Sequence, residues 1–202
     1  MTIAEQVAHS LLEIGAVALR PNDPFTWASG LKSPIYCDNR LTISYPKVRQ
    51  LICKGLVELI KANYPDVEVI AGTATAGIPH AAWVAEKLNL PLIYVRSKPK
   101  DHGQGKQTEG VLKPGQKVVV IDDLISTGQS VLGAVQAVQK ADATAIGVAG
   151  IFSYQLSAAE VNFREAALPL HTVTNYSTLI RVAKTENKVS ETELEILKKW
   201  RQ

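Results

Sequence analysis

The sequence is short of cysteine, of long apolar runs and of net charge, and each shortage excludes a class of protein. Two cysteines among 202 residues, Cys37 and Cys53, are too few for a disulfide framework. No apolar run approaches the roughly 18–20 residues of a membrane-spanning helix. The N-terminus carries Glu5 and has no basic start, so it does not resemble a signal peptide. We therefore expect a cytoplasmic protein with no membrane partner.

Charge and missing motifs narrow the class further. The 22 Lys and Arg residues exceed the 19 Asp and Glu residues by three, which is too small an excess to indicate a nucleic-acid partner. The chain has neither Gly-x-x-x-x-Gly-Lys-Ser/Thr nor Gly-x-Gly-x-x-Gly after a strand, so it predicts no ATP-binding or dinucleotide-binding loop. Its length and 46% hydrophobic content suit one α/β domain with a real core.

Short apolar segments alternate with helical patterns along most of the chain. These patterns predict strands at 67–71, 92–95, 117–121, 143–152 and 170–174, and helices at 3–14, 46–60, 77–89, 128–140, 157–166 and 190–200. Strands that are apolar on both faces indicate a parallel sheet covered by helices on both sides. Ligands of such sheets bind beyond the carboxyl ends of the strands, where the segments 72–77, 96–110 and 122–130 are expected.

The strongest functional signal is an acidic pair that follows an apolar strand. Asp122 and Asp123 come directly after 118–121, and the hydroxyl-rich stretch 126–130 then opens a helix. We expect the chain to turn at the pair, so that both carboxylates reach one ligand. The helix N-terminus suits a phosphate, and carboxylates beside a phosphate suit ribose hydroxyls, held directly or through Mg²⁺. A plain acidic cluster followed by an ordinary helix cap is the alternative.

Residues 118–130 resemble the 5-phosphoribosyl 1-diphosphate (PRPP) motif of the type I phosphoribosyltransferases. The resemblance implies that family's fold, a mostly parallel sheet flanked by helices with a small N-terminal hood. It divides a single domain into a hood, 1–45, and a PRPP-binding core with the C-terminal helix, 46–202. It also implies that the two acids contact ribose hydroxyls and that the following loop wraps the 5-phosphate.

The basic stretch 96–106 could be a solvated surface loop, but it follows a predicted strand and is longer than a simple connection requires. Its Lys-Asp-His-Gly-x-Gly pattern resembles the catalytic loop of the orotate phosphoribosyltransferases. Arg96, Lys100 and His102 match PRPP-contacting positions there, and would neutralise charge on the departing pyrophosphate. In that family the loop enters the neighbouring subunit's site, which implies a homodimer with shared active sites.

Two other segments carry the same resemblance. Residues 25–36 resemble the signature that covers the base pocket, although their aromatic side chains could simply pack a subdomain. Residues 72–79 resemble the pyrophosphate-binding loop, whose small residues let backbone N–H groups approach an anion.

Four positions depart from one branch of the family. That branch has lysines where this chain has Ala28, Ala76 and Ser97, and an arginine near Tyr154. Lys32 and Lys98 are close enough in sequence to compensate. Ser126, at a position that contacts orotate in the family, keeps that expected role.

The resemblance therefore predicts transfer of ribose 5-phosphate from PRPP to orotate, with Mg²⁺ held mainly by PRPP. The expected PRPP-binding residues are Arg96, Lys100, His102, Asp122, Asp123, Leu124, Ile125, Ser126, Thr127, Gly128, Gln129 and Ser130. Of these, Lys100, His102 and Asp123 are the expected catalytic residues, Asp123 as the group that handles a proton. A purine or uracil phosphoribosyltransferase is the alternative enzyme, and a PRPP-sensing regulator is the alternative from another class.

Overall fold

The computed structural model describes residues 1–27, 30–98 and 107–200. Its α-helices are α1 (Ile3–Glu13), α2 (Pro46–Asn63), α3 (Gly77–Leu88), α4 (Gln129–Gln139), α5 (Ser157–Glu165), α6 (Tyr176–Thr185) and α7 (Glu191–Lys199). Its strands are β1 (Val17–Leu19), β2 (Phe25–Thr26), β3 (Lys32–Ser33), β4 (Ile35–Cys37), β5 (Val69–Thr73), β6 (Leu92–Val95), β7 (Thr108–Glu109), β8 (Lys117–Ile125), β9 (Thr144–Ser153) and β10 (Leu170–Asn175). A 3-10 helix spans Asn39–Ser44.

A six-stranded sheet with the order β10-β9-β8-β5-β6-β7 forms the centre of the described residues. Its neighbouring strands are parallel except β6 and β7, which are antiparallel. The order reverses between β5 and β8, the two adjacent central strands. A ligand site is expected at this edge because the loops after β5 and β8 leave the sheet there on either side of a crevice.

Helices cover both faces of the sheet, as the apolar strands predict. One apolar core includes side chains from α1, α2, α3, α6 and α7, and the other includes side chains from α4 and α5. Alternate residues of β8 supply both cores: Val119 and Ile121 face the first, and Val118 and Val120 the second. All four side chains are fully buried, so the central strand that carries the acidic pair is firmly anchored on both sides.

The predicted end of the strand before the acidic pair was wrong. β8 continues through the pair to Ile125, because β9 goes on pairing beside it: Asp122 is opposite Gly150 and Leu124 is opposite Phe152. The turn follows Ile125 instead of Ile121. The acids are therefore held by a paired strand, which fixes their backbone more firmly than a turn would.

Two further elements differ from the sequence prediction. The helix α6 was missed; it begins directly after β10, and the Asn175 side chain caps it by accepting from the backbone N–H of Thr178 at 3.0 Å. Thr108 and Glu109, expected in a polar loop, form the strand β7 beside β6. The strand β7 is stabilised by pairing with β6, and α6 begins at a side-chain cap. Apolar periodicity reveals neither feature.

The N-terminal region combines a helix of the main core with short strand pairs. β1 pairs with β4, and β2 with β3, each antiparallel. Val7, Ala8 and Leu11 of α1 are fully buried in the same core as the sheet. Across the described ranges, no helix combines the length and apolarity needed to cross a membrane.

Candidate active site

The acidic pair lies on the wall of a cavity of about 320 Å³ at the carboxyl edge of the sheet. Three parts of the chain meet there: the end of β8 with the start of α4, the loop before α3, and the segment after β4. The lining residues are Cys37, Asp38, Asn39, Arg40, Ala74, Thr75, Ala76, Asp122, Asp123, Leu124 and Ser130. Two predicted site segments, the acidic motif and the small-residue loop, are thus brought together.

A larger groove of about 740 Å³ lies between α2 and α3, among side chains such as Trp83, Cys53 and Lys87. None of the site residues predicted from the sequence lines this groove. The smaller cavity is the better candidate because it combines a buried and a partly buried carboxylate, those of Asp122 and Asp123, with the starts of α3 and α4.

Close packing of backbone on backbone defines the loop before α3. Gly77, the first residue of α3, lies so close to β8 that an added Cβ would be 2.6 Å from the carbonyl oxygen of Ile121. No side chain caps this helix, and of its first N–H groups that of Ile78 donates weakly to the backbone carbonyl of Thr75 at 3.3 Å, so the helix start suits an anion. The small residues Ala74, Thr75 and Ala76 line the cavity beside them. This geometry suits the predicted pyrophosphate loop.

The start of α4, like that of α3, has no side-chain cap. Gly128 is the N-cap, with a φ of +80° and no side-chain cap bond, so the first N–H groups of the helix lack a side-chain partner. An added Cβ at Gly128 would be 2.5 Å from Cε2 of Phe163. The neighbouring Thr127 carbonyl accepts from Nδ2 of Asn162 at 2.9 Å. Glycine is needed both for the backbone conformation and for the contact with α5.

Burial disfavours the charged form of both acids. Asp122 is 7% exposed, and burial, followed by the negative charge of Asp123, raises its pKa well above the ordinary value. Burial also raises the pKa of Asp123. The backbone N–H of Asp123 donates to Oδ1 of Asp122 at 3.0 Å. A ligand that brings hydroxyl donors or positive charge therefore stabilises the charged form of this pair.

The segment after β4 forms the wall that the sequence analysis missed. Asn39 is 1% exposed, and its Nδ2 donates to the backbone carbonyl of Asp123. The Sγ of Cys37 donates to Oδ1 of Asn39 at 3.3 Å, and the backbone N–H of Cys37 donates to Oη of Tyr154 at 3.1 Å. The N-terminal region is therefore fastened to the acid-bearing strand and to the end of β9.

An arginine and an aspartate complete this wall. Arg40 donates from Nε to Oδ1 of Asp38 at 2.6 Å and from its second terminal nitrogen to Oδ2 at 2.8 Å. This bidentate bond lowers the pKa of Asp38 and raises that of Arg40. The nearby guanidinium charge also acts on Asp123, opposing the rise in its pKa. The only signal for these residues in the sequence is a short polar run after the 25–36 signature.

The nine predicted PRPP residues from Asp122 to Ser130 fall into three groups. Asp122, Asp123, Leu124 and Ser130 line the cavity; Ser126, Thr127, Gly128 and Gln129 connect β8 to α4 at its edge. The Ile125 side chain is fully buried in the core, and its carbonyl accepts from the backbone N–H of Tyr154. Ile125 is also paired opposite Ser153 of β9, so both its side chain and its backbone serve the sheet.

Arg96 directly follows β6 and is not among the residues that line the cavity. Its Nη1 is 3.8 Å from Oε1 of Glu109 on β7, and its backbone N–H donates to the carbonyl of Gln107 at 2.9 Å. These contacts hold the two ends of the basic segment side by side. Lys100 and His102 lie outside the described residues, as does Ala28.

Three of the departures from the family pattern can be located. Ala76 lines the cavity, whereas Ser97 is exposed beyond the end of β6. Tyr154 is 3% exposed, and its ring packs 4.8 Å from that of Trp27. Burial raises the pKa of Tyr154, so this position carries no charge at neutral pH.

The donor set for a divalent cation is small. No group of three or more His, Cys, Asp or Glu side chains suited to a metal occurs in the part of the chain that the structure describes. Asp122 and Asp123 supply two carboxylates, which are ligands that Mg²⁺ accepts when substrate phosphates and water complete its coordination. The residues present thus fit a cation bound together with a phosphorylated substrate.

Comparison with known proteins identifies the family. The phosphoribosyl transferase domain model matches residues 45–166. The chain is 65% identical over 200 residues to an orotate phosphoribosyltransferase of Lactiplantibacillus plantarum, covering 99% of this chain and 94% of that protein. It is 58% identical over 201 residues to the one from Listeria monocytogenes, covering 100% and 96%.

Solved structures agree. The orotate phosphoribosyltransferase of Aeropyrum pernix is similar with a TM-score of 0.78 and 27% identity, over 91% of this chain and 99% of that chain. A Mycobacterium tuberculosis orotate phosphoribosyltransferase in complex with PRPP is similar with a TM-score of 0.67 and 26% identity, over 88% and 98%.

Proposed function

This chain belongs to the orotate phosphoribosyltransferase family, and we propose that it transfers the ribose 5-phosphate group of PRPP to orotate, giving orotidine 5′-phosphate and pyrophosphate. This is a pentosyl transfer that serves pyrimidine nucleotide synthesis. The observation that carries the proposal is the meeting, in one cavity, of the adjacent carboxylates of Asp122 and Asp123 with the starts of α3 and α4, neither of which has a side-chain cap. These features suit a sugar that bears a diphosphate at one end and a phosphate at the other.

Two walls of the cavity, the end of β8 with the start of α4 and the loop before α3, are proposed to bind PRPP. The stretch 126–130 and the start of α4 hold the 5-phosphate, Asp122 and Asp123 hold the ribose hydroxyls, and 74–77 holds the pyrophosphate. Because the ribose donates hydrogen bonds to both acids, binding relieves part of the penalty that burial places on their charges.

The transfer itself needs no nucleophilic side chain. The bond from C1 of the ribose to the pyrophosphate oxygen breaks, and its electron pair leaves with pyrophosphate. N1 of orotate then bonds to C1 from the opposite face through its own electron pair. Positioning of the two substrates and stabilisation of the departing charge supply the catalysis. Arg96, Lys100 and His102 are the residues proposed for that charge. The raised pKa of Asp123 suits it to take the N1 proton.

Mg²⁺ belongs to the same proposal. When bound, it would neutralise charge on the diphosphate and so ease departure of pyrophosphate. Asp122 and Asp123 are the side chains of this chain that would support it, with most of its ligands coming from PRPP and water.

The protein is further proposed to act in the cytoplasm as a homodimer. Both cysteines are buried free thiols, and burial raises the pKa of each, as suits a reducing compartment. The homodimer rests on the loop 96–106, whose resemblance implies that one subunit's loop completes its neighbour's site.

The direct test is an assay of the purified chain with PRPP, Mg²⁺ and each candidate base. Loss of orotate absorbance, dependent on PRPP, is the expected result, with adenine, xanthine and uracil unused. Consumption of one of those bases in place of orotate would reassign the enzyme to the purine or uracil transferases. Binding of PRPP without turnover of any base would favour the regulator. The 57–65% identity to full-length orotate enzymes favours orotate.

A variant separates PRPP binding from base binding. Asp123→Asn is expected to raise the KM for PRPP even at saturating orotate, because it removes a charge from the ribose contact. An effect on the KM for orotate alone would mean that the acidic pair does not hold the ribose.

A further inference from the structure

Orotate differs from uracil by one carboxylate, and the cavity must supply a cation to recognise it. Asp38, Asp122 and Asp123 all line the cavity, so a second anion entering there meets three acids. Arg40 is the cationic side chain among the described lining residues.

The position of Arg40 separates it from the parts of the site that PRPP occupies. The phosphates of PRPP are assigned to the start of α4 and to the loop before α3, and its ribose to the end of β8. Arg40 lies on the remaining wall, formed by the segment after β4. The base must occupy this side, because the other sides are taken by the sugar and its phosphates.

The hydrogen bonds of Arg40 leave it able to bind a second carboxylate. A guanidinium has five N–H donors, and Asp38 accepts from two different nitrogens, which leaves three donors. Asp38 also fixes the plane of the guanidinium, so the remaining donors are oriented before a ligand arrives. The Arg40 side chain is 67% exposed, and a bound base would cover part of it.

From this arrangement we propose that Arg40, oriented by Asp38, binds the carboxylate of the base and makes this enzyme specific for orotate. The inference rests on the proposed transfer to orotate and adds to it the residue that selects the substrate. Arg40 would contact substrate directly, whereas Asp38 is a positioning residue.

The test compares Arg40→Met with Arg181→Met. Arg181 is a matched control: its side chain is 65% exposed and bonds Glu5 at 3.2 Å, remote from the cavity. Arg40→Met is expected to raise the KM for orotate by roughly 10-fold to 100-fold, with the KM for PRPP changed by less than about threefold. Arg181→Met is expected to change neither constant. Arg40→Lys should recover part of the lost affinity for orotate, because lysine keeps the positive charge but lacks the paired N–H donors of a planar guanidinium.

A neutral analogue makes the result specific to the carboxylate. Methyl orotate keeps the ring and esterifies the carboxylate, and its inhibition constant is compared with that of orotate. The preference for orotate should collapse in Arg40→Met and in the double variant Asp38→Asn/Arg40→Met, in which Asp38 is not left as an unpaired charge. Asp38→Asn alone should weaken orotate binding and leave binding of the ester unchanged.

Three outcomes would overturn the inference: equal constants for Arg40→Met and Arg181→Met, a loss confined to the KM for PRPP, or an equal loss for orotate and its ester. Failure of the wild-type chain to use orotate would instead refute the proposed function. Circular dichroism and an unfolding curve for each variant exclude loss of fold as the cause.

Discussion

The side-chain amide of Asn39 donates to the backbone carbonyl of Asp123, 84 positions further along the chain. The bond joins the N-terminal region to the strand that carries both acids. Asn39 also accepts from the Cys37 thiol, and its own carbonyl accepts from the hydroxyl of Thr42. These buried bonds set the spacing between the wall with Arg40 and the wall with the acidic pair.

We therefore expect Asn39→Ala to reduce both stability and PRPP use. The change leaves the Asp123 carbonyl without this donor, and a buried group in that state costs about 1–3 kcal/mol. Urea unfolding measures the loss, and the KM for PRPP reports the displaced acid. Asn63→Ala is the matched control, because the exposed Asn63 amide also donates to a backbone carbonyl, that of Leu59 at 2.8 Å. A loss of equal size in both variants would show that the buried bond contributes nothing special.

The acidic pair predicts a gain in stability when one charge is removed. Because the pKa of Asp122 is higher in the folded chain than in the unfolded one, its contribution is fully present at low pH and is lost as pH rises through the folded value. Asp122→Asn should thus unfold at higher urea concentration than wild type at pH 8 to 9, by about 0.5–2 kcal/mol. The difference should shrink toward pH 4, and PRPP use should fall.

Asp66→Asn controls for a simple change of net charge, since Asp66 is exposed and pairs with Lys117 at 3.2 Å. A wild type that remains more stable than Asp122→Asn across the whole range would contradict the raised pKa.

Substitution of Gly128 by alanine is expected to lower stability, whereas the same substitution at Gly133 of α4 is not. Gly128→Ala forces a side chain into a left-handed conformation and against Phe163, so about 1–3 kcal/mol of stability should be lost. The KM for PRPP should rise because the phosphate loop moves. Gly133, within α4, has open space around the added Cβ, and Gly133→Ala should stabilise the chain by about 0.5–1 kcal/mol. Thermal unfolding of both variants decides the matter.

The proposed homodimer with shared active sites predicts complementation between two inactive variants. Lys100→Ala should abolish most turnover without unfolding the chain, and so should Asp123→Asn. After the two are mixed and allowed to exchange subunits, about half of the dimers are mixed, and each of these has one intact site. Turnover should recover to about a quarter of the wild-type value. No recovery, in a mixture shown to contain mixed dimers, would place the loop in its own subunit's site.

The sequence by itself determined those features that depend on neighbouring residues. Apolar runs separated by helical stripes predicted a parallel sheet covered on both faces, because burial on both sides leaves a local pattern. The stretch Asp122–Ser130 predicted a ligand site at the start of α4, because its acids, hydroxyl side chains and glycine are adjacent in sequence. The prediction failed at the end of β8, where pairing with β9, a strand distant in sequence, extends the strand past the acids. It also missed α6, whose start at the Asn175 cap is local but leaves no mark in the apolar pattern.

Only the tertiary structure decided what stands opposite the acids. Asn39 and Arg40 are about 80 residues from Asp123 in sequence, and nothing in their short polar run points to it. The folded chain brings them to one cavity because β4 and the 3-10 helix after it are anchored to β8 and β9 by buried hydrogen bonds. Burial likewise sets the raised pKa of each acid, since the cost of a buried charge depends on everything packed around it.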